Sequence, residues 1–118
     1  MKRPPDLTSL RALWWAWRSL RRVRDDLAGR PLLEVRVKPP PTLPADAFRG
    51  VRYALRRLPG TCLEQALVLQ AWHAAQGNPR AVVIGVTASR DFAAHAWLDG
   101  EPAATTQPYD ELLRLPAH

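Results

Sequence analysis

The chain has 118 residues, which sets one domain, or one domain with a short appendage. Its apolar fraction of 47% is enough to bury a core and excludes a fully disordered chain. A single cysteine excludes an internal disulfide, and with no Cys/His cluster at zinc spacing a structural metal site is excluded too.

The formal net charge is +6, nearly all of it carried by arginine. Such a balance suits nucleic acid, an anionic membrane or an acidic peptide partner, but it also follows from a high-GC genome, so charge alone selects nothing. Lys2 and Arg3 are followed by Pro4, Pro5 and Asp6, and the later apolar run is broken by arginines, so no signal peptide is read. No stretch is long enough to span a membrane. The expected location is cytoplasmic, and nothing calls for a cofactor.

In chain order, residues 7–28 predict an amphipathic helix. Leu10, Leu13, Trp14, Trp17, Leu20 and Leu27 recur at helical spacing, and Gly29 and Pro31 stop it. Trp14, Trp15 and Trp17 cannot share one narrow stripe, so Trp15 is expected to face sideways. The helix is read as covering a small core, with a partner-docking or membrane-lying surface as alternatives. Leu33, Val35 and Val37 alternate with charged residues, predicting a half-buried strand. Pro39, Pro40, Pro41 and Pro44 then make a stiff connector. Phe48, Val51, Leu55 and Leu58 predict a helix over 45–58, and Pro59-Gly60 a turn. A further helix runs from Cys62 to about Gln76, closed by Gly77 and Pro79. Strands are predicted over 81–86 and 92–98, with a turn at Asp99-Gly100. Residues 109–115 are read as a short helical segment. The class is α+β. Residues 1–44 are expected to form an N-terminal helix, strand and Pro-rich connector, and 45–118 the catalytic domain.

Thr61-Cys62-Leu63-Glu64 fits a capping box, with Thr61 as the cap and Glu64 reaching back to its amide. Cys62 is then the first helical residue, where free amides and the helix dipole favour charge on the sulfur and can hold an oxyanion. Arg56 and Arg57 add positive potential just upstream. The plain alternative is a small buried residue at the start of a core helix. Strand alternation puts His95 on one face with Ala93 and Trp97, and the small residues beside it allow close approach of a helix. A thiol at a helix start and an imidazole on a packed strand make a workable nucleophile–base pair. His73 lies about 16 Å further along the helix of Cys62 and His118 is terminal, so both compete poorly.

Three blocks in order, Thr61–Ala66, Val83–Thr87 and Ala94–Gly100, resemble the lasso-peptide leader peptidase family, over about Arg49 to Gly100. The resemblance implies a minimal papain/transglutaminase-like domain, its nucleophile helix packed on a small antiparallel sheet. It implies a Cys-His-Asp peptidase with Cys62 and His95 in the first two roles, cutting the leader from a ribosomally made precursor peptide. It further implies a separate leader-recognition protein and a macrolactam synthetase as partners, with no nucleic acid and no membrane. The N-terminal stretch is too short to contain the recognition domain, and its Trp-rich helix is a candidate docking element for the separate one.

The chain departs from that pattern at the third member. Thr105, Thr106 and Gln107 stand where the acid is expected. Asp99 is four strand residues from His95, about 13 Å away, too far to orient it. If Asp99-Gly100 turns tightly, the following segment passes the imidazole, and Gln107 is its residue long enough to orient the ring, as an asparagine does in papain-like enzymes. Asp110 or Glu111 folding back are the alternatives. The missing acid also admits a weakly active or inactive relative that binds precursor or partner proteins. A basic nucleic-acid or anionic-surface binder is the remaining reading.

Overall fold

The computed structural model describes residues 6–86, 94–100 and 110–117, and within these the side chains of Ala94, Asp110 and Leu112 are left aside. The chain divides into two compact units, Met1–Gly60 and Thr61–His118. As expected, the architecture is α+β, with helices α1 (Leu7–Gly29), α2 (Phe48–Arg57) and α3 (Cys62–Ala75) and strands β1 (Val82–Val86), β2 (Ala94–Leu98) and β3 (Asp110–Leu115).

In the first unit, α1 starts at Asp6, whose carboxylate accepts from the Ser9 amide at 2.7 Å and from the Thr8 hydroxyl at 2.9 Å. Those hydrogen bonds, the Ser9 amide first, hold the Asp6 carboxyl below its ordinary range. The inward face of α1 is Ser9, Ala12, Trp15, Ala16, Ser19, Leu20 and Val23. This corrects the expected stripe. Trp15 is buried, while Trp14 is 56% exposed and Leu10 47%. The reason is close packing between helices. Small residues on α1 let α2 approach so tightly that a Cβ on Gly50 would collide with the carbonyl oxygen of Ser9. A stripe chosen by large apolar residues overlooks the small ones that make such an approach possible. Trp15 also has a place for its indole N–H, which donates to the Lys38 carbonyl at 3.0 Å.

The strand expected at 33–37 is absent. Leu32–Glu34 form a 3-10 turn, and Val35 onwards is extended without a ladder partner. The alternation was a true sign of extended backbone, since Val35 is buried between exposed Glu34 and Arg36. It packs against α1 through the Trp15–Lys38 hydrogen bond rather than joining a sheet. A second 3-10 turn, Ala45–Ala47, leads into α2, so the helix expected over 45–58 starts as a tighter coil.

In the second unit, α3 begins at a reciprocal cap. The Glu64 amide donates to the Thr61 hydroxyl at 3.2 Å, and the Thr61 amide donates to the Glu64 carboxylate at 2.8 Å. The sheet is antiparallel in the order β2-β1-β3. Val82 pairs with Leu98 on one side and Leu115 on the other, and all three are buried. α3 lies against β2 and β1. The Gln70 amide donates both to the Arg80 carbonyl at 2.9 Å and to the Leu115 carbonyl at 2.8 Å, tying the sheet's outer end to α3.

β3 corrects the expected helix at 109–115. Leu112-Leu113 interrupts strand alternation, and a bulge absorbs the interruption: Ile84 pairs with Leu113 and Gly85 with Glu111, leaving Leu112 without an opposite residue. An apolar central strand such as β1 needs a ladder on both edges, and this requirement outweighs local helical spacing.

Two stability predictions follow from these contacts. Gly50→Ala should destabilise the protein by about 1–3 kcal/mol or more, because backbone must move to admit the methyl group. Gly29→Ala should be neutral or mildly stabilising, since nothing lies within 4 Å and alanine is the better helix former. Urea unfolding of the two variants side by side checks the contrast. Thr61→Ala should cost about 1 kcal/mol through loss of the α3 cap, with Thr61→Ser restoring most of it in the same assay.

Candidate functional site

The capping box makes Cys62 the first residue of α3, as its spacing predicts. Its side chain is exposed. The sulfur accepts a hydrogen bond from the Ala96 amide at 3.4 Å. Since the Ala96 nitrogen is two covalent bonds from the Cα of His95, the sulfur lies within about 6 Å of that Cα. The two blocks singled out for nucleophile and base therefore meet at the backbone of β2.

His95 is half-buried and pairs across the ladder with Gly85. Gly85 pairs on its other side with Glu111, so the three residues form one row across the sheet. Gly85, itself buried, adds no side-chain atoms to that row. Opposed residues share a face, and two strand spacings put the Cα atoms of His95 and Glu111 about 10 Å apart.

The acids near this row are held by one guanidinium. Arg114 binds Asp99 through Nη1 at 3.1 Å and Glu111 through Nε at 2.8 Å. The hydrogen bond and charge of Asp99, then the charge of Glu111, push the Arg114 guanidinium further above its ordinary value. Asp99 stands at the end of β2, where its amide donates to the Ala81 carbonyl, and Gly100 turns the chain with φ +93°. Asp110 opens β3 opposite Val86. Gln107 lies outside the described residues.

His73 occupies the last turn of α3, well along the helix from Cys62. Arg56 and Arg57 end α2 in the other unit, and Arg57 lies over the Tyr53 ring at 5.4 Å. Among the described residues there is no cluster of His, Cys, Asp and Glu able to hold a metal ion, and no helix long and apolar enough to cross a membrane.

Three contributors escape a reading of side chains. The Ala96 amide is backbone, and its only trace in the sequence is the run of small residues around His95. Gly85 announces itself as a glycine inside an otherwise branched apolar strand, a usual sign of close approach. Arg114 has no signal of its own, because its two carboxylates come from different strands.

The arrangement offers an exposed sulfur at a helix start, an amide donor on it, and a histidine on the adjoining strand. No curated protein and no solved structure gave a match to the chain. The family profile described as the Transglutaminase-like superfamily matches residues 7–114, which takes in both units and every element from α1 to β3. The chain belongs to the transglutaminase-like superfamily.

Proposed function

We propose that this chain is a cytoplasmic cysteine endopeptidase that removes the leader from a ribosomally made lasso-peptide precursor. The observation carrying the reading is the exposed Cys62 sulfur at the start of α3, bonded to the amide next to His95. It is supported by membership of a superfamily that includes cysteine peptidases, and by the resemblance of the three sequence blocks to leader peptidases.

In this mechanism the Cys62 sulfur attacks the carbonyl carbon of the last leader residue while His95 takes the thiol proton. A C–S bond forms, the carbonyl π pair moves to oxygen, and the free amides at the start of α3 stabilise the oxyanion. The C–N bond then breaks and His95 returns the proton to the leaving amine. Water, deprotonated by His95, attacks the thioester, releasing the leader's carboxylate and restoring the thiol. The new amine on the core peptide becomes the substrate of a separate macrolactam synthetase. A separate leader-recognition protein presents the precursor.

Gln107 is proposed as the group that orients the imidazole. An amide fixes the tautomer but stabilises imidazolium less than a carboxylate does, so turnover is slower than with an acid in that place. Asp99 and Glu111 already serve Arg114, which favours Gln107 over either.

Cys62→Ala should abolish leader removal from a purified precursor while the circular dichroism spectrum stays unchanged. Cleavage near the wild-type rate would rule out the peptidase reading. Iodoacetamide should label Cys62 rapidly in the wild type, and His95→Ala should slow that labelling by about tenfold or more. For the third member, single-turnover cleavage should fall on the order of tenfold or more in Gln107→Ala and change little in Asp99→Ala. A collapse confined to Asp110→Ala or Glu111→Ala would assign the role there instead.

A further inference from the structure

We infer that the first unit carries a docking groove for an acidic peptide segment bearing an aromatic or aliphatic anchor. The groove, about 770 Å³ in volume, lies between α1 and the extended segment 36–41. Leu10, Trp14, Trp17, Val37 and Pro41 supply its apolar lining. Leu10, Trp14, Trp17 and Arg21 follow one another at helical spacing on α1. The Trp14 and Trp17 rings lie 4.9 Å apart, and the Arg21 guanidinium sits 5.1 Å from the centre of the Trp17 ring. Trp14 is 56% exposed and Leu10 47%, so part of this apolar lining is open to solvent.

Charge selects the occupant. Arg11, Arg18, Arg21, Arg22, Arg36 and Lys38 line the groove against a single acid, Asp25. Among the described residues none of these six cations forms a salt bridge. An acidic segment entering the groove meets cations not held in salt bridges among the described residues, and exposed Trp with Arg is the composition of binding hot spots.

The geometry favours a peptide over the other polyanions. Stacking a base needs an open ring face, whereas Trp14 and Trp17 lean on each other and Arg21 covers Trp17. A helix lying on a membrane needs its apolar stripe unobstructed, whereas segment 36–41 forms a wall beside it, with Arg36 and Lys38 exposed on that wall. A trough with an apolar floor and cationic rim fits an extended or helical segment.

The test uses the full chain and measures binding alone, so its outcome is independent of peptidase activity. Fluorescence anisotropy is recorded with a short fluorescein-labelled peptide rich in Asp and Glu around a Leu-Phe pair. Comparison probes are the same peptide with every acid replaced by lysine, a thymidine oligonucleotide, and phosphatidylserine–phosphatidylcholine vesicles. The acidic peptide should bind, and binding should weaken about tenfold in Trp14→Ala and again in the Arg18→Glu/Arg22→Glu double variant. Both sites are exposed on α1, and circular dichroism verifies the helix content of each variant. Absence of binding, equal binding of the lysine peptide, or affinity unchanged in both variants overturns the inference. Tighter binding of the oligonucleotide or the vesicles overturns it in favour of nucleic acid or membrane.

Discussion

Everything proposed for Cys62 depends on where α3 begins, and the reciprocal cap between Thr61 and Glu64 sets that point. Each successive helical residue rotates about 100° and rises about 1.5 Å, so a start displaced by one residue would aim Cys62 elsewhere. The cap is protected from slipping because Glu64 is buried, at 5% exposure. A buried carboxylate is tolerable only with donors in place, and the Thr61 amide is one of them. An alternative start would forfeit the bond from the Thr61 amide. A substitution far from any substrate could thus disturb the chemistry by loosening the first turn.

The sheet contributes shape more than charge. β1 sits at its centre and is paired on both edges, and its Gly85 stands between His95 and Glu111 in the register. Arg114 gathers Asp99 and Glu111 from two different strands across β1. All three side chains are about half exposed, so the cluster adds little to stability.

What could be read in the sequence was whatever local periodicity and local chemistry encode. α1, α2, α3 and β1 announced themselves by spacing, and the capping box located Cys62 because its parts lie within four residues. Failures occurred where tertiary partners decide. Val35–Val37 had strand alternation but no strand to pair with, and pairing is not a local property. β3 had a leucine doublet that mimics helical spacing, and only its bulge against Ile84 and Gly85 reconciles that doublet with a ladder. The rotation of α1 differs from its large-residue stripe because close helix packing is written in alanine, serine and glycine, which carry little hydrophobic signal. The cysteine–histidine pairing of blocks was legible as side-chain types, whereas the amide that meets the sulfur was not.

The hydrogen bond between the Ala96 amide and the Cys62 sulfur gives the protein a built-in spectroscopic indicator. That proton sits on β2 but senses an atom of α3, so its chemical shift answers to the electron density on sulfur. Loss of the thiol proton would draw it downfield, and a thioester or an alkyl group on sulfur would weaken the bond and hasten exchange with solvent. Events at the sulfur are therefore legible in one backbone resonance without any label on the cysteine. An alanine with no side chain to contribute to the chemistry is the position from which that chemistry can be watched.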